Sequence, residues 1–256
     1  MGRIITFSNQ KGGVGKTTSA INIASYVAQE GKKVLLADID PQGNATTGLG
    51  VAKNLLDFTM YDVLTGDASA KDAIIESSVK NLDVLPCTND LVGAEIALVK
   101  VKDREFVLKT ALDKVKDEYD FVFVDCPPSL GLLTLNALTA CDGVIIPIQS
   151  EFYALEGLSQ LINTIKIVTQ RTNPSIKIEG VILTMYDGRS IMSRQVSTEI
   201  TRFFGAKVYE NPVPRNIKVA EAPSFGNPIS VHAPKSAGAQ AYQNIARQFL
   251  ERESQK

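Results

Sequence analysis

Ten consecutive residues near the start of the chain, Asn9-Gln10-Lys11-Gly12-Gly13-Val14-Gly15-Lys16-Thr17-Thr18, bring together the residue types that bind phosphate. Glycines lack a Cβ, so successive backbone N–H groups can turn inward onto phosphate oxygens. A helix starting directly after them adds about half a positive charge from its amino terminus. The backbone of Gly12, Gly13, Val14, Gly15, Lys16, Thr17 and Thr18 is therefore expected to form the cradle. Lys16 is placed to reach the β- and γ-phosphates, and the Thr17 hydroxyl to hold Mg²⁺. One position departs from the general pattern G-x-x-x-x-G-K-[ST]: Gln10 stands where its first glycine belongs, and a second lysine, Lys11, follows it.

Carboxylates at two further places could complete the chemistry. Phe121-Val122-Phe123-Val124-Asp125 is an apolar run ending in an acid, followed by Cys126-Pro127-Pro128-Ser129. An acid at the end of a buried strand beside a phosphate loop can hold Mg²⁺ directly or through water, and the two prolines stiffen the switch that follows. Ala37-Asp38-Ile39-Asp40-Pro41-Gln42-Gly43-Asn44 supplies two acids two residues apart, which project the same way in extended chain. One can orient the attacking water while the other meets Mg²⁺-bound water or a partner's loop. Residue types leave open which acid does which, and whether one only caps a turn. There is no N-K-x-D or T-K-x-D guanine-reading motif in the sequence, so ATP is favoured over GTP.

These groups need a scaffold that presents strand ends on one side. Strands are expected over Arg3–Ser8, Lys33–Asp38, Leu82–Pro86, Phe121–Asp125, Gly143–Ile148, Glu179–Thr184 and Ala206–Tyr209. Helices are expected over Thr17–Glu30, Arg104–Lys116, Leu155–Val168 and Ala239–Arg252, with Lys53–Val79 a less regular helical insertion. Near-continuous Val/Ile/Leu/Phe strands alternating with helices imply an α/β fold, a mostly parallel twisted sheet with helices on both faces. Ligands then gather at the carboxyl ends of the strands. The 256 residues show no repeat or linker and are read as one domain, residues 1–256. Three cysteines (Cys87, Cys126, Cys141) without a C-x-x-C pair exclude a disulfide scaffold and a four-cysteine zinc site and point to a cytoplasmic protein. Charge is unevenly divided: residues 1–159 hold 14 Lys+Arg against 21 Asp+Glu, and residues 160–256 hold 13 against 7, so a polyanion-facing surface is expected in the second part.

The loop K-G-G-V-G-K-T, the Asp38/Asp40 stretch and FVFVD-CPP together resemble the ParA/Soj family of DNA-segregation ATPases, from about Arg3 to Leu250. The resemblance implies a single-domain P-loop NTPase fold without an N-terminal helix-turn-helix. It implies that Lys11 reaches across a two-fold interface to the partner's triphosphate, so that ATP with Mg²⁺ joins a homodimer. It gives the water-orienting role to Asp40, making Lys11, Lys16 and Asp40 the catalytic set, with Thr17 and Asp125 on the metal and Asp38 and Asp40 acting through water. Met185 and the segment Pro212-Val213-Pro214-Arg215-Asn216 match the family's adenine pocket. Arg189 and Lys218 match positions where basic residues touch DNA phosphate, and Arg215 lies beside them. Binding to double-stranded DNA would be sequence-independent and salt-sensitive. A centromere-binding protein of the ParB type would reset the switch, and the protein would associate with the nucleoid. Glu151-Phe152-Tyr153-Ala154-Leu155-Glu156-Gly157 and Glu221-Ala222-Pro223-Ser224 are expected at interfaces. No acid follows Asp125 immediately, so slow basal turnover is expected.

Two relatives of that engine do other work. A MinD-like switch needs a basic amphipathic helix for the membrane, whereas the last helix mixes Glu251 and Glu253 with Arg247 and Arg252, so no membrane partner is expected. A nitrogenase-reductase-like enzyme needs cluster-binding cysteines, and none of the three has that setting. His232 is the only histidine and has no second ligand at metal spacing, so a structural role is expected.

Overall fold

Strand β1 (Arg3–Phe7) occupies the middle of a sheet whose other members are β2 (Val34–Asp38), β3 (Ile75–Glu76), β4 (Leu82–Leu85), β5 (Phe121–Asp125), β6 (Gly143–Gln149) and β7 (Lys177–Thr184). The computed structural model describes residues 2–151 and 154–256. Strand order is β3-β4-β2-β5-β1-β6-β7, parallel throughout except for the β3–β4 edge pair. Register decides where the chemistry sits: Phe7 pairs with Asp125 and Asp38 pairs with Asp125. The loop after β1 and the two strand-end acids are thereby brought together at the carboxyl ends of three adjacent strands, β2, β5 and β1.

Each strand divides its side chains between two cores, as period-two alternation requires. Val122 and Val124 of β5 join Ile4, Leu35 and Ile146 under helices α2 (Leu132–Ala140) and α3 (Ala154–Arg171). Phe121 and Phe123 join Ile5, Phe7 and Leu36 on the opposite face. There α1 (Lys16–Gln29) and α5 (Ala237–Ser254) cover them, and Phe249 meets Phe121 and Phe123 at ring separations of 5.1 and 5.6 Å. Helix α4 (Ile191–Phe204) adds Val196, Ile200 and Phe204 to the first core, together with Val181 and Leu183 of β7.

Two expectations change, and a third gains detail. The strand expected over Ala206–Tyr209 is a 3-10 turn at Gly205–Lys207 followed by an isolated bridge from Val208 to Val181. The prolines at 212 and 214 have no N–H with which to continue a ladder. The helix expected over Arg104–Lys116 is broken into a 3-10 turn at Arg104–Phe106, a helix at Val107–Leu112 and another turn at Lys116–Glu118. The irregular stretch contains short helices at Met60–Thr65 and Ala70–Ala73, each closed by a capping box, Thr59 with Asp62 and Ser69 with Asp72. It ends in the antiparallel strand β3, which sequence periodicity did not disclose.

Candidate nucleotide site

Between β1 and α1 the loop turns through Gly13 at φ +73° and Gly15 at φ +82°, the left-handed region that glycine enters without steric cost. A Cβ on Gly13 would meet nothing within 4 Å, so the requirement there is conformational, not spatial. Gly15 is the N-cap of α1, and the loop is tied to the sheet when Thr184 Oγ1 donates to the Val14 carbonyl at 2.8 Å. Lys16 is 6% exposed and folds back over the loop, its Nζ donating to the Lys11 carbonyl at 3.2 Å. Burial lowers the pKa of its ammonium, against the opposing pull of Asp125, Cys126 and Asp40. A positive charge held under a backbone cradle without a carboxylate partner is suited to an incoming polyanion.

Lys11 behaves differently. Its backbone N–H donates to Asn9 Oδ1 at 3.0 Å, and Asn9 Nδ2 donates to the Pro147 carbonyl at 2.8 Å. Its ammonium leaves the cradle and pairs with Glu151 Oε2 at 3.0 Å, in a half-exposed bridge. Phe152 and Tyr153 of the expected interface stretch lie outside the described residues.

The acids are not equivalent. Asp125 is wholly buried and neither of its oxygens has a hydrogen-bond partner. Burial, then the nearby Asp38, pushes its carboxyl well above the usual range. The Thr17 hydroxyl, close by though outside hydrogen-bond geometry, and Lys16 pull the other way. An unpartnered buried carboxylate beside a hydroxyl and a phosphate cradle fits a hard divalent cation, which prefers oxygen ligands. Among the described residues no group of three or more His, Cys, Asp or Glu side chains converges on a metal by itself. Mg²⁺ here would therefore be held by Asp125 and Thr17, with phosphate and water supplying its other ligands.

Asp38 is wholly buried too, but served: its Oδ2 accepts from the Thr46 N–H at 2.8 Å and the Thr46 hydroxyl at 2.7 Å, and its Oδ1 accepts from the Asp40 N–H at 3.2 Å. Burial still pushes its carboxyl upward. Asp40 accepts one such bond, from the Gln42 N–H at 3.0 Å, and remains the freer of the two acids. The question that residue types left open thus has a geometric reading, with Asp38 anchoring its own loop.

The segments expected at the base come together next to the loop. Met185 takes φ +49°, an uncommon conformation outside glycine, directly after Thr184. The Val213 N–H donates to the Leu183 carbonyl at 2.8 Å and the Tyr186 N–H to the Val213 carbonyl at 2.9 Å, placing 212–214 along the end of β7. Asn216 caps the helix Ile217–Glu221 by accepting from the Val219 N–H. Arg189, Arg215 and Lys218 form an exposed flank: Arg189 and Arg215 follow β7 and lie near Asp187, and Lys218 is on the helix Ile217–Glu221. Arg189 Nε pairs with Asp187 at 3.1 Å and Lys218 Nζ with Glu221 at 2.6 Å. His232 Nε2 meets the same Glu221 at 3.0 Å while its ring stacks on Phe225 at 4.7 Å. Burial pushes the Cys87 and Cys126 thiols up, and Cys141 to about 12, so all three are inert thiols. Thr46 carries no signal by type; only its partners Asp38 and Cys87, distant in sequence, reveal it.

A strand, glycine loop and lysine-opened helix in the middle of a parallel sheet define a P-loop ATPase. Residues 2–178 match the AAA domain family. The chain is 53% identical over 248 residues to the sporulation initiation inhibitor protein Soj of Bacillus subtilis (strain 168), covering 97% of this chain and 98% of that one. It is 48% identical over 256 residues to the chromosome partitioning protein ParA of Myxococcus xanthus (strain DK1622), covering 100% and 90%. Among solved structures, cobyrinic acid a,c-diamide synthase from Mycobacterium smegmatis with bound ADP and magnesium superposes with a TM-score of 0.87 at 38% identity, covering 99% and 96%. The cell division ATPase MinD of Pyrococcus furiosus does so at 0.80 and 28% identity, covering 99% and 100%. The chain belongs to the Soj/ParA family of chromosome-partitioning ATPases.

Proposed function

We propose that this chain is an ATP-dependent DNA-segregation switch whose ATP-bound form is a sandwich dimer. The observation that carries the reading is the pairing, at one strand edge, of a cradle containing the buried Lys16 with an unpartnered Asp125. ATP binds with its phosphates on the amides of Gly12 to Thr18 and its base against Met185, Pro212, Val213, Pro214 and Asn216. Lys16 neutralises the β- and γ-phosphates. Thr17 and Asp125 would hold Mg²⁺, which would supply further charge neutralisation for the phosphates. Asp40 orients the water that attacks the γ-phosphorus. Lys11 exchanges Glu151 for the triphosphate of a second copy, because one lysine and one divalent ion leave a triphosphate with residual negative charge. The mycobacterial neighbour with ADP and magnesium supports the choice of nucleotide and ion.

Joining two chains doubles the exposed flank of Arg189, Arg215 and Lys218, giving a dimer that holds duplex DNA through phosphates without reading bases. Turnover is slow until a ParB-type protein completes the charge cage, which resets the chain to its DNA-free state in the nucleoid-containing cytoplasm. The apolar stripe of α5 supports DNA over a membrane as the platform: Tyr242, Ile245 and Phe249 are buried against the sheet and α1. Among the described residues no helix is long and apolar enough to cross a membrane. Light scattering of Asp40→Ala with ADP or ATP, with duplex DNA or anionic liposomes, tests the reading. The expected result is an ATP-dependent dimer that gains mass on DNA alone. A monomer under every condition, or mass gained on liposomes, overturns it.

A further inference from the structure

We propose that Thr46 is a positioning residue for the hydrolytic carboxylate Asp40, an assignment that rests on the role given to Asp40 above. Asp40 follows β2 by two residues, in a stretch without regular structure, yet its peptide groups are fixed on both sides. Its N–H donates to Asp38 Oδ1 at 3.2 Å, and its carbonyl accepts from the Gly43 N–H at 2.7 Å and the Cys87 thiol at 3.1 Å. Asp38 is held in turn by Thr46 alone, through the backbone N–H at 2.8 Å and the hydroxyl at 2.7 Å. The same hydroxyl accepts from the Cys87 N–H at 2.9 Å, where the chain leaves β4. Thr46 therefore bridges the acid that holds the Asp40 amide to the strand end that holds the Asp40 carbonyl.

A hydroxyl suits this point because it donates and accepts through one oxygen. Valine has the same shape and can do neither; serine keeps both. The loop has little room to settle elsewhere. Gly43 sits at φ +59°, and a Cβ there would lie 2.5 Å from the Cys87 carbonyl oxygen, so the turn already rests directly on the strand end. Thr46 and Asp38 are fully buried, so water does not substitute for the lost bonds. Freed of the hydroxyl, Asp38 keeps the Thr46 amide but loses its tie to β4, and the Asp40 backbone loses a fixed reference. Since transition-state stabilisation depends on placement to within a fraction of an ångström, turnover should suffer while nucleotide binding, made by another loop, should not.

The test is ATP binding and single-turnover hydrolysis of the full chain with Mg²⁺ and duplex DNA. For Thr46→Val, ATP affinity is expected within about threefold of the parent and the hydrolysis rate about tenfold or more lower; Thr46→Ser should recover most of the rate. Placed in an Asp40→Ala background, Thr46→Val should add no further loss, because the group it positions is gone. A parental rate for Thr46→Val, or a full additional loss in the double variant, overturns the proposal. If Asp40→Ala itself hydrolyses ATP at the parental rate, the role of Asp40 fails instead. Should Thr46→Val not fold, hydrogen exchange on the unmodified chain decides: the amides of Asp40, Thr46 and Cys87 are expected to be protected about 100-fold or more over free loop rates, and free exchange overturns the network.

Discussion

The strand edge that holds Lys16, Asp38 and Asp125 and the flank that carries Arg189 and Lys218 handle charge in opposite ways. At the edge the charged side chains are buried and unequally served: Asp38 has several bonds, Lys16 one and Asp125 none. On the flank the basic residues pair with acids near in sequence and open to water: Arg189 with Asp187 two residues away, Lys218 with Glu221 three away. Low dielectric makes the first region intolerant of change and nearly indifferent to salt; water and counterions soften the second. The contrast separates a site built for chemistry, where each charge awaits one specific partner, from a surface built for reversible contact with any phosphate backbone.

Breaking the buried region should produce the largest effects. Lys16→Ala removes the cation of the cradle, and ATP affinity is expected to fall about 100-fold or more, at low and high salt alike, in calorimetry. Undiminished affinity would place the triphosphate elsewhere. Asp125→Asn should separate metal from fold. The chain without nucleotide, in EDTA at neutral pH, is expected to gain stability, about 1–3 kcal/mol from a neutral group in place of a desolvated carboxyl, while the Mg²⁺ dependence of ATP binding disappears. Its pH signature has a definite sign. Burial raises Asp125 above its unfolded value, so the folded chain holds the proton more tightly and stability falls as pH rises above the ordinary carboxylate range. Asparagine should flatten that slope in thermal melts between about pH 4 and 8.

The same contrast explains what could be read from the sequence. The phosphate loop, Asp125 and the parallel sheet were legible because each is a local pattern: glycines at fixed spacing, an apolar run with an acid at its end, β units alternating with α. Asp38 and Asp40 could not be told apart because what separates them is Thr46, eight residues beyond Asp38, and Cys87, just past the end of β4. Strand β3 is two residues long and carries no periodicity to detect. The short helices after Phe58 escape a periodicity reading because their signal lies in capping boxes, Thr59 with Asp62 and Ser69 with Asp72, rather than in apolar stripes. The basic flank showed as a charge imbalance, but the acids that pair with its members were invisible to a count.

Sharpening the surface side of the comparison needs smaller changes. Arg189→Glu should weaken duplex binding about tenfold at low salt and reduce the slope of log affinity against log salt by about one, leaving ATP-driven dimerisation intact. Unchanged retention on DNA would remove Arg189 from the interface.

Glu221→Gln should give the smallest effect, in the opposite direction. Glu221 is an acceptor for Lys218 at 2.6 Å and for His232 at 3.0 Å, and these two partners hold its carboxyl below the usual range. DNA phosphate approaching Lys218 must compete with that carboxylate, whose own charge repels the backbone. Glutamine keeps the shape and an acceptor for His232 but removes the charge, so duplex binding is expected to rise about two- to threefold at low salt. Exposed pairs are worth little and are screened, so the gain should vanish as salt rises past about 0.3 M. The same substitution should leave ATP affinity unchanged, because the cradle draws nothing from this flank. A gain that persists at high salt would mean that Glu221 restrains the fold around helix Ile217–Glu221 rather than the charge of Lys218, and a fall in binding would mean that Lys218 needs its carboxylate to point at DNA at all.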